Sequence, residues 1–311
     1  MKQNAITQAN KAFTNEHHDG SVCVFAGGTN GIGANTLEKL VQMLRSATFY
    51  VIGGSTARFA DQRATLERLN PNAKIVFFEG DVTLLSDVDT FAKTVLDAET
   101  KVDYLFMSPG RLPLAGAEYT TEGLEVSFTL SYYARMRLTA NLLPRLLAAP
   151  RARVLSVLNG GKEGVFREDD LGLVDNWSSL AVMAQYTTVT TLAFDHLAAQ
   201  NKTFTFLQAY PGLVRTGISN LVAPSGSGIG RRAYVAVVGR FVGMLALLFG
   251  MTPVASGERH AYHLTSSAFG PGMWRVDDQS EVAKGTEVLK YRAAGWPKRI
   301  WEFTVSVFDK I

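Results

Sequence analysis

The chain has 311 residues, more than a typical single domain but within reach of one α/β domain with added loops, and it can bury a large core. With 47% hydrophobic and 19% charged residues, it has neither the polarity of a disordered chain nor the apolarity of a polytopic membrane protein. A net charge of +3, dispersed along the chain, points to solubility and gives no footing for a nucleic-acid partner.

The opening MKQNAITQANKAFTNEHHDG has no apolar core of signal-peptide length. We therefore expect residues 1–20 to be a loosely ordered lead-in to one domain, 21–311, of a cytoplasmic protein. His17 and His18 have no further His or Cys at ligand spacing nearby, so no metal site is expected. The single Cys23 excludes an intramolecular disulfide and reads as a buried structural thiol in SVCVFAGG.

Short apolar runs then alternate with longer amphipathic ones. SVCVFAGG precedes NTLEKLVQMLR, TFYVIGG precedes ARFADQRATLERL, and KIVFFEGDV precedes LSDVDTFAKTVLDAE; VDYLFMSPG, RVLSVLNGG and TFTFLQAYPG follow. Strand-length segments separated by helix-length ones predict repeated βαβ units: an α/β fold with a doubly wound parallel sheet. In such sheets ligands bind beyond the carboxyl ends of the strands. After the sixth run come the Gly/Ser-rich APSGSGIG at 223–230 and an apolar run at 233–249. Arg240 near the middle of that run is costly in a bilayer, so 217–256 reads as a substrate-covering segment, with a peripheral membrane contact as the minor alternative. ASGERHAYHLTSS and KRIWEFTVSVF read as the last helix, edge strand and tail.

The first strand ends in AGGTNGIGANTLEKLV, which places Gly27, Asn30, Gly31, Ile32 and Gly33 at the turn into a helix. Glycines let backbone approach a pyrophosphate closely, and a helix N-terminus offers it free N–H groups and positive dipole. The second strand, YVIGGSTAR, carries no acid at its end to bind a ribose 2′-hydroxyl. Ser55, Thr56 and Arg58 there suit a 2′-phosphate, which favours NADP over NAD; Arg58 as a solvated helix residue leaves that choice open.

The Gly-x-x-x-Gly-Ile-Gly spacing resembles the short-chain dehydrogenase/reductase superfamily, as do EGDV at 79–82, FMSPG at 106–110 and AYPGLVRT at 209–216, in that order over roughly 22–267. YYARMR, with Tyr132, Tyr133 and Arg135, together with EDDLGL, SGERHAY and WEFTVSVF, further resembles fungal short-chain dehydrogenase-like proteins of secondary metabolism with an eroded Tyr-Lys pair. The resemblance implies that Asp81 and Val82 meet the adenine, and that Val214 and Thr216, after Pro211 and Gly212, hold the nicotinamide carboxamide. It also puts Ser108 and Gly110 where the family has its Asn-Asn-Ala-Gly segment, and suggests a homo-oligomer.

The same resemblance implies a tyrosine, a lysine four residues later, a serine after the fifth strand and a helical asparagine. Here the serine position falls on Asn159 or Leu158, with Ser156 too early, and the asparagine position on Ser131. In MAQYTTVTTLAFDHLAAQ, Tyr186 would be the donor with Thr190 in the lysine slot; a register three residues earlier gives Met183 and Thr187. Without an ammonium to lower its pKa, a phenol of pKa about 10 is a poor base but a serviceable acid. Lys162 is another cation within possible reach, though it reads as a solvated loop residue. The expectation is an NADP(H)-dependent reductase of a carbonyl or enone in a small apolar metabolite. Its rivals are a non-redox isomerase or cyclase and a dinucleotide-binding regulatory protein.

Overall fold

The computed structural model describes residues 1–16, 18–114, 116–215 and 229–311. Seven strands form one sheet: β1 (Asp19–Ala26), β2 (Ser46–Gly53), β3 (Lys74–Glu79), β4 (Tyr104–Met107), β5 (Arg153–Val157), β6 (Thr205–Ala209) and β7 (Gly272–Val276). Their order is β3-β2-β1-β4-β5-β6-β7, and every pairing is parallel. The chain winds outward from β1 in one direction to β3 and from β4 in the other, so the switch in winding falls between β1 and β4. Six of these strands are the six apolar runs of the sequence. β1 from Ser21 and all of β5 and β6 are buried, as strands covered on both faces must be.

One face is covered by α2 (Gly31–Met43), α3 (Thr56–Leu69), α9 (Pro253–Thr265) and α1 (Gln3–Asn15), around a core that includes Phe25, Phe49, Leu40 and Tyr262. The other carries α4 (Leu85–Ala98), α6 (Ala134–Leu147), α7 (Ser179–Gln200), α10 (Glu287–Ala293) and α11 (Trp296–Phe308), around Phe91, Leu142, Phe194 and Ile300. The expected doubly wound parallel sheet is thus the observed fold, in a single domain.

Residues 1–20 differ from the expected loose lead-in. Ile6 and Asn10 are buried in α1, Ala9 and Phe13 pack beside them, and Asn10 Nδ2 donates to Glu258 O (2.9 Å) and Glu258 Oε2 (2.6 Å) on α9. A sparse stripe at i, i+3, i+4 and i+7 is enough to dock a polar segment as a helix. α8 (Ile229–Phe249) holds the apolar run and leaves Val237, Phe241 and Leu248 exposed. No helix among the described residues is long and apolar enough to cross a membrane.

Just before α6 the chain passes through the short α5 (Val126–Phe128) and a π-helical turn, Thr129–Tyr133. A π turn inserts one residue into a helix and re-aims the side chains beyond it. Here it carries Ser131 and leads directly to Arg135.

Candidate functional site

At the carboxyl end of β1 the turn into α2 is packed backbone on backbone. Gly27 has φ +84° and Gly31 φ +55°, where L side chains are strained. A Cβ on Gly33 would stand 1.9 Å from the Gly27 carbonyl oxygen, and one on Gly27 would stand 2.7 Å from Pro109 N. Ser108, at the end of β4, donates its hydroxyl to Gly27 O at 3.0 Å and so ties the two strand ends across the switch point. The Asn30 N-cap makes no side-chain capping bond, which leaves the first-turn N–H groups of α2 facing the space in front of them.

That space is a cavity of about 380 Å³. Gly27, Asn30, Gly31, Ile32 and Gly33 form its wall at the turn, Ser108 and Gly110 its wall after β4, and Pro211 the edge after β6. Facing them are Ser131, Arg135, Leu158, Asn159, Met183 and Tyr186. Three of the residues singled out for catalysis therefore share one cleft with the glycine turn. Thr190 does not: it is wholly buried and its Oγ1 donates to Tyr186 O at 2.7 Å. Four residues along a helix is a 6 Å descent, enough to carry Thr190 below the cleft floor.

Both proposed registers of α7 meet the cleft, because Met183 and Tyr186 line it together. Asn159 Nδ2 reaches Thr187 Oγ1 at 3.3 Å, and Thr187 Oγ1 donates to Met183 O at 2.7 Å, so the loop after β5 is fastened to this turn of α7. A deeper polar network holds the same loop: Thr191 Oγ1 lies 2.8 Å from Glu163 Oε1 and 2.9 Å from Gln208 Oε1, while Arg275 pairs with Glu163 at 3.1 Å. None of these partners was evident from spacing. Lys162 lies over the Tyr210 ring, 5.2 Å from its centroid, and Ser156 is wholly buried.

Burial pushes the Tyr186 hydroxyl up to about 12, with Arg135 and a hydrogen bond from Ser131 pulling the other way. Arg135 was visible in YYARMR without an assigned role. It is 2% exposed, and its guanidinium donates to the carbonyls of Leu130 (3.0 Å), Met107 (3.3 Å), Val157 (2.9 Å) and Pro109 (2.5 Å), and to Ser156 Oγ (2.5 Å). It therefore clamps the carboxyl ends of β4 and β5. The hydroxyl expected to fall too early is a ligand of this clamp.

The ends of β2 and β3 lie beyond the cavity. Ser55 Oγ accepts from Arg58 N at 3.3 Å as the N-cap of α3. In register with Gly53 stands Glu79, whose Oε2 accepts from Thr56 N at 2.9 Å. Its hydrogen bonds to Thr56 and the charge of Arg58 hold this carboxyl below its usual range. The acid missing from the end of β2 is thus supplied by the end of β3. Asp81 Oδ1 caps Thr83 N at 2.8 Å, and Val82 packs against the core. Gly212 (φ +66°) turns the chain against Asp278, Val214 is buried and bridges to Met251, and Thr216 lies outside the described residues.

A model of the short chain dehydrogenase family matches residues 21–165. Over 319 aligned positions the chain is 34% identical to Oxidoreductase AN1596 of Emericella nidulans, covering 92% of each. The chain belongs to the short-chain dehydrogenase family. It is also 36% identical to Oxidoreductase lepF of Aspergillus flavus, over 93% of this chain and 91% of that one. Among solved structures it resembles a short chain dehydrogenase from Shigella flexneri complexed with NADP (TM-score 0.59, 14% identity, 84% of this chain and 98% of that one). A Serratia marcescens short-chain dehydrogenase/reductase variant is similar at TM-score 0.61 and 16% identity, over 85% and 99%. At these identities the two structures speak to the fold. The relatives named oxidoreductase speak to the general activity of this member of the family.

Proposed function

We propose that this oxidoreductase uses NADP(H) to reduce the carbonyl or enone of a small, largely apolar metabolite. The observation that carries the reading is the convergence of the glycine turn, the open N-terminus of α2, Tyr186, Asn159 and Ser131 on one cavity. The turn fits a dinucleotide: Gly27 and Gly33 leave no room for a Cβ, and no Asp or Glu lines the cavity among the described residues to repel a pyrophosphate. Gly31, Ile32 and Gly33 would hold the pyrophosphate, and Ser55 and Arg58 the 2′-phosphate. The bound cofactor supplies the hydride.

The chain's own part is acid catalysis and orientation. Tyr186 Oη gives its proton to the substrate oxygen as negative charge develops there, while Ser131 and the Asn159 amide orient that oxygen. A hydroxyl held near 12 is ionised in roughly one part in 10⁵ of molecules at pH 7, so the proton to be given is always present. The same value leaves almost no phenolate at pH 7 to take the proton of an alcohol.

A second reading has one specific observation behind it: the position four residues after Tyr186 is a buried threonine bonded to the backbone. Under that reading the cavity binds the dinucleotide without consuming it and serves isomerisation, cyclisation or regulation. Tryptophan quenching by NADPH together with absorbance at 340 nm over a panel of aldehydes, ketones and enones separates the two. Binding with NADPH consumption upholds the reductase, binding without consumption upholds the second reading, and no binding by any dinucleotide defeats both.

A further inference from the structure

Two arginines and no carboxylate line the cavity among the described residues. Arg111 is paired with Glu118. Arg135 has no acid partner among the described residues: all of its contacts are carbonyls and one hydroxyl. A guanidinium buried without a counter-ion is a costly choice where an apolar side chain could fill the volume. The surrounding carbonyl dipoles keep it cationic, and although burial pulls its pKa down to about 9 it is charged at neutral pH.

The position of this charge gives it a use. Nη2 carries two hydrogens and meets one acceptor, Pro109 O. On that flank is Gly110, where a Cβ would lie 3.9 Å from Nη2, and Arg135 itself lines the cavity. The field of Arg135 therefore enters the cavity between the ends of β4 and β5, beside Ser131 and Tyr186.

We propose that Arg135 is the resident cation of this site in place of a lysine on α7, and that it makes the site bind the reduced dinucleotide more tightly than the oxidised one. The oxidised nicotinamide ring carries a positive charge and the reduced ring is neutral, so a fixed cation at this end of the cavity opposes only the oxidised form. Were the ring to bind with its charge about 8 Å from the guanidinium, an effective dielectric constant of about 20 to 40 would change binding by about five- to thirty-fold. The same charge favours the phenolate that forms when Tyr186 gives up its proton. The first effect fills the site with the reduced dinucleotide and speeds departure of the oxidised one, and the second favours release of the Tyr186 proton. The inference rests on the dinucleotide reading of the cavity.

The test is the ratio of dissociation constants for NADP⁺ and NADPH, and for NAD⁺ and NADH, from tryptophan quenching. It uses the intact protein and the variants Arg135→Lys and Arg135→Met, with circular dichroism to confirm folding. The expected result is a ratio of about five or more in the native protein, kept by Arg135→Lys and moved toward one by Arg135→Met. A native ratio of one or less overturns the inference without needing any variant to fold. So does a folded Arg135→Met protein with an unchanged ratio, since a purely structural clamp would alter both affinities alike. If neither dinucleotide pair binds the native protein, the cofactor reading itself fails and takes this inference with it.

Discussion

Replacing Gly33 with alanine tests whether the turn after β1 is the anion cradle of the site. The added Cβ would lie 1.9 Å from Gly27 O and 2.8 Å from Ser108 Oγ, against an ordinary carbon–oxygen contact of about 3.2 Å. The intruded atom is backbone, so no side chain can swing aside. The start of α2 must retreat by more than about 1 Å, or the Ser108–Gly27 bond at 3.0 Å must break. Overpacking of this kind costs about 1–3 kcal/mol, which for a chain of this size lowers the melting temperature by roughly 2–6 °C. The effect on binding should be larger in proportion, because the same movement withdraws the N–H groups of residues 31–33. NADPH affinity is expected to fall at least about fivefold, at two or more hydrogen bonds of roughly 0.5–1.5 kcal/mol each. Fluorescence titration and a melting curve measure both quantities, with Gly270→Ala as the control, since nothing lies within 4 Å of a Cβ there. If Gly33→Ala binds NADPH within twofold of the native protein while melting several degrees lower, the turn is structural only and the cavity has another occupant.

Three further substitutions and one titration probe the remaining assignments. Tyr186→Phe should lower carbonyl reduction by about 10²- to 10⁴-fold while leaving NADPH affinity within about twofold; undiminished turnover would remove Tyr186 from the chemistry. Thr190→Lys, a natural attempt to restore the family's lysine, should destabilise the protein without raising turnover, because it places an ammonium at a wholly buried position. A gain in turnover would show that α7 is placed differently. Glu79→Gln should tighten NADPH binding relative to NADH, because it removes a carboxylate beside Ser55 and Arg58; an unchanged ratio would separate the 2′-phosphate from this corner. Burial lowers the pKa of His260 to about 4 and that of His263 well below its ordinary value, so both are neutral in the folded protein at pH 7. Below about pH 6.5 the unfolded chain takes up protons that the folded chain refuses, and stability is lost as the pH falls toward 4. The melting temperature should therefore drop between pH 7 and pH 5, less steeply in His260→Gln. A flat profile would mean that these histidines are not buried together.

The parallel sheet was legible because a strand covered on both faces has to be apolar almost throughout, so that SVCVFA, YVIG and RVLSV announce themselves without neighbours. The glycine turn was legible for a related reason, since a Cβ on Gly27 or Gly33 would stand 1.9 to 2.8 Å from neighbouring atoms. The features that stayed hidden depend on contacts between segments distant in sequence. The acid beside the end of β2 is in register with Gly53 but belongs to β3, and an inspection of YVIGGSTAR cannot find it. Ser156 was too early for the expected serine, and only the fold reveals it as a partner of Arg135, 21 positions earlier. On α7 helical periodicity sets Met183, Tyr186, Thr187 and Thr190 along one side of the helix, yet it carries no information about depth. Thr190 is one turn below Tyr186. α1 escaped notice because four residues, Ile6, Ala9, Asn10 and Phe13, are all that dock it.

If the cavity is a reductase site, the absence of a lysine four residues after Tyr186 changes which protonation state of that tyrosine is at hand rather than simply removing a charge. A lysine beside the tyrosine serves oxidation and reduction alike, because it lowers the phenol's pKa toward neutrality, where both protonation states are populated. In this cleft burial has moved Tyr186 the other way, to about 12, and the cation that remains is a guanidinium fixed by the carbonyls of β4 and β5 rather than a mobile ammonium. Such an acid can give a proton but seldom stands ready to take one. A positive charge set among carbonyls and facing a cavity without carboxylates also weighs against an oxidised nicotinamide. These two consequences concern different steps: the charge of Arg135 bears on which form of a dinucleotide fills the cavity, and the burial of Tyr186 bears on whether a proton is at hand when it does.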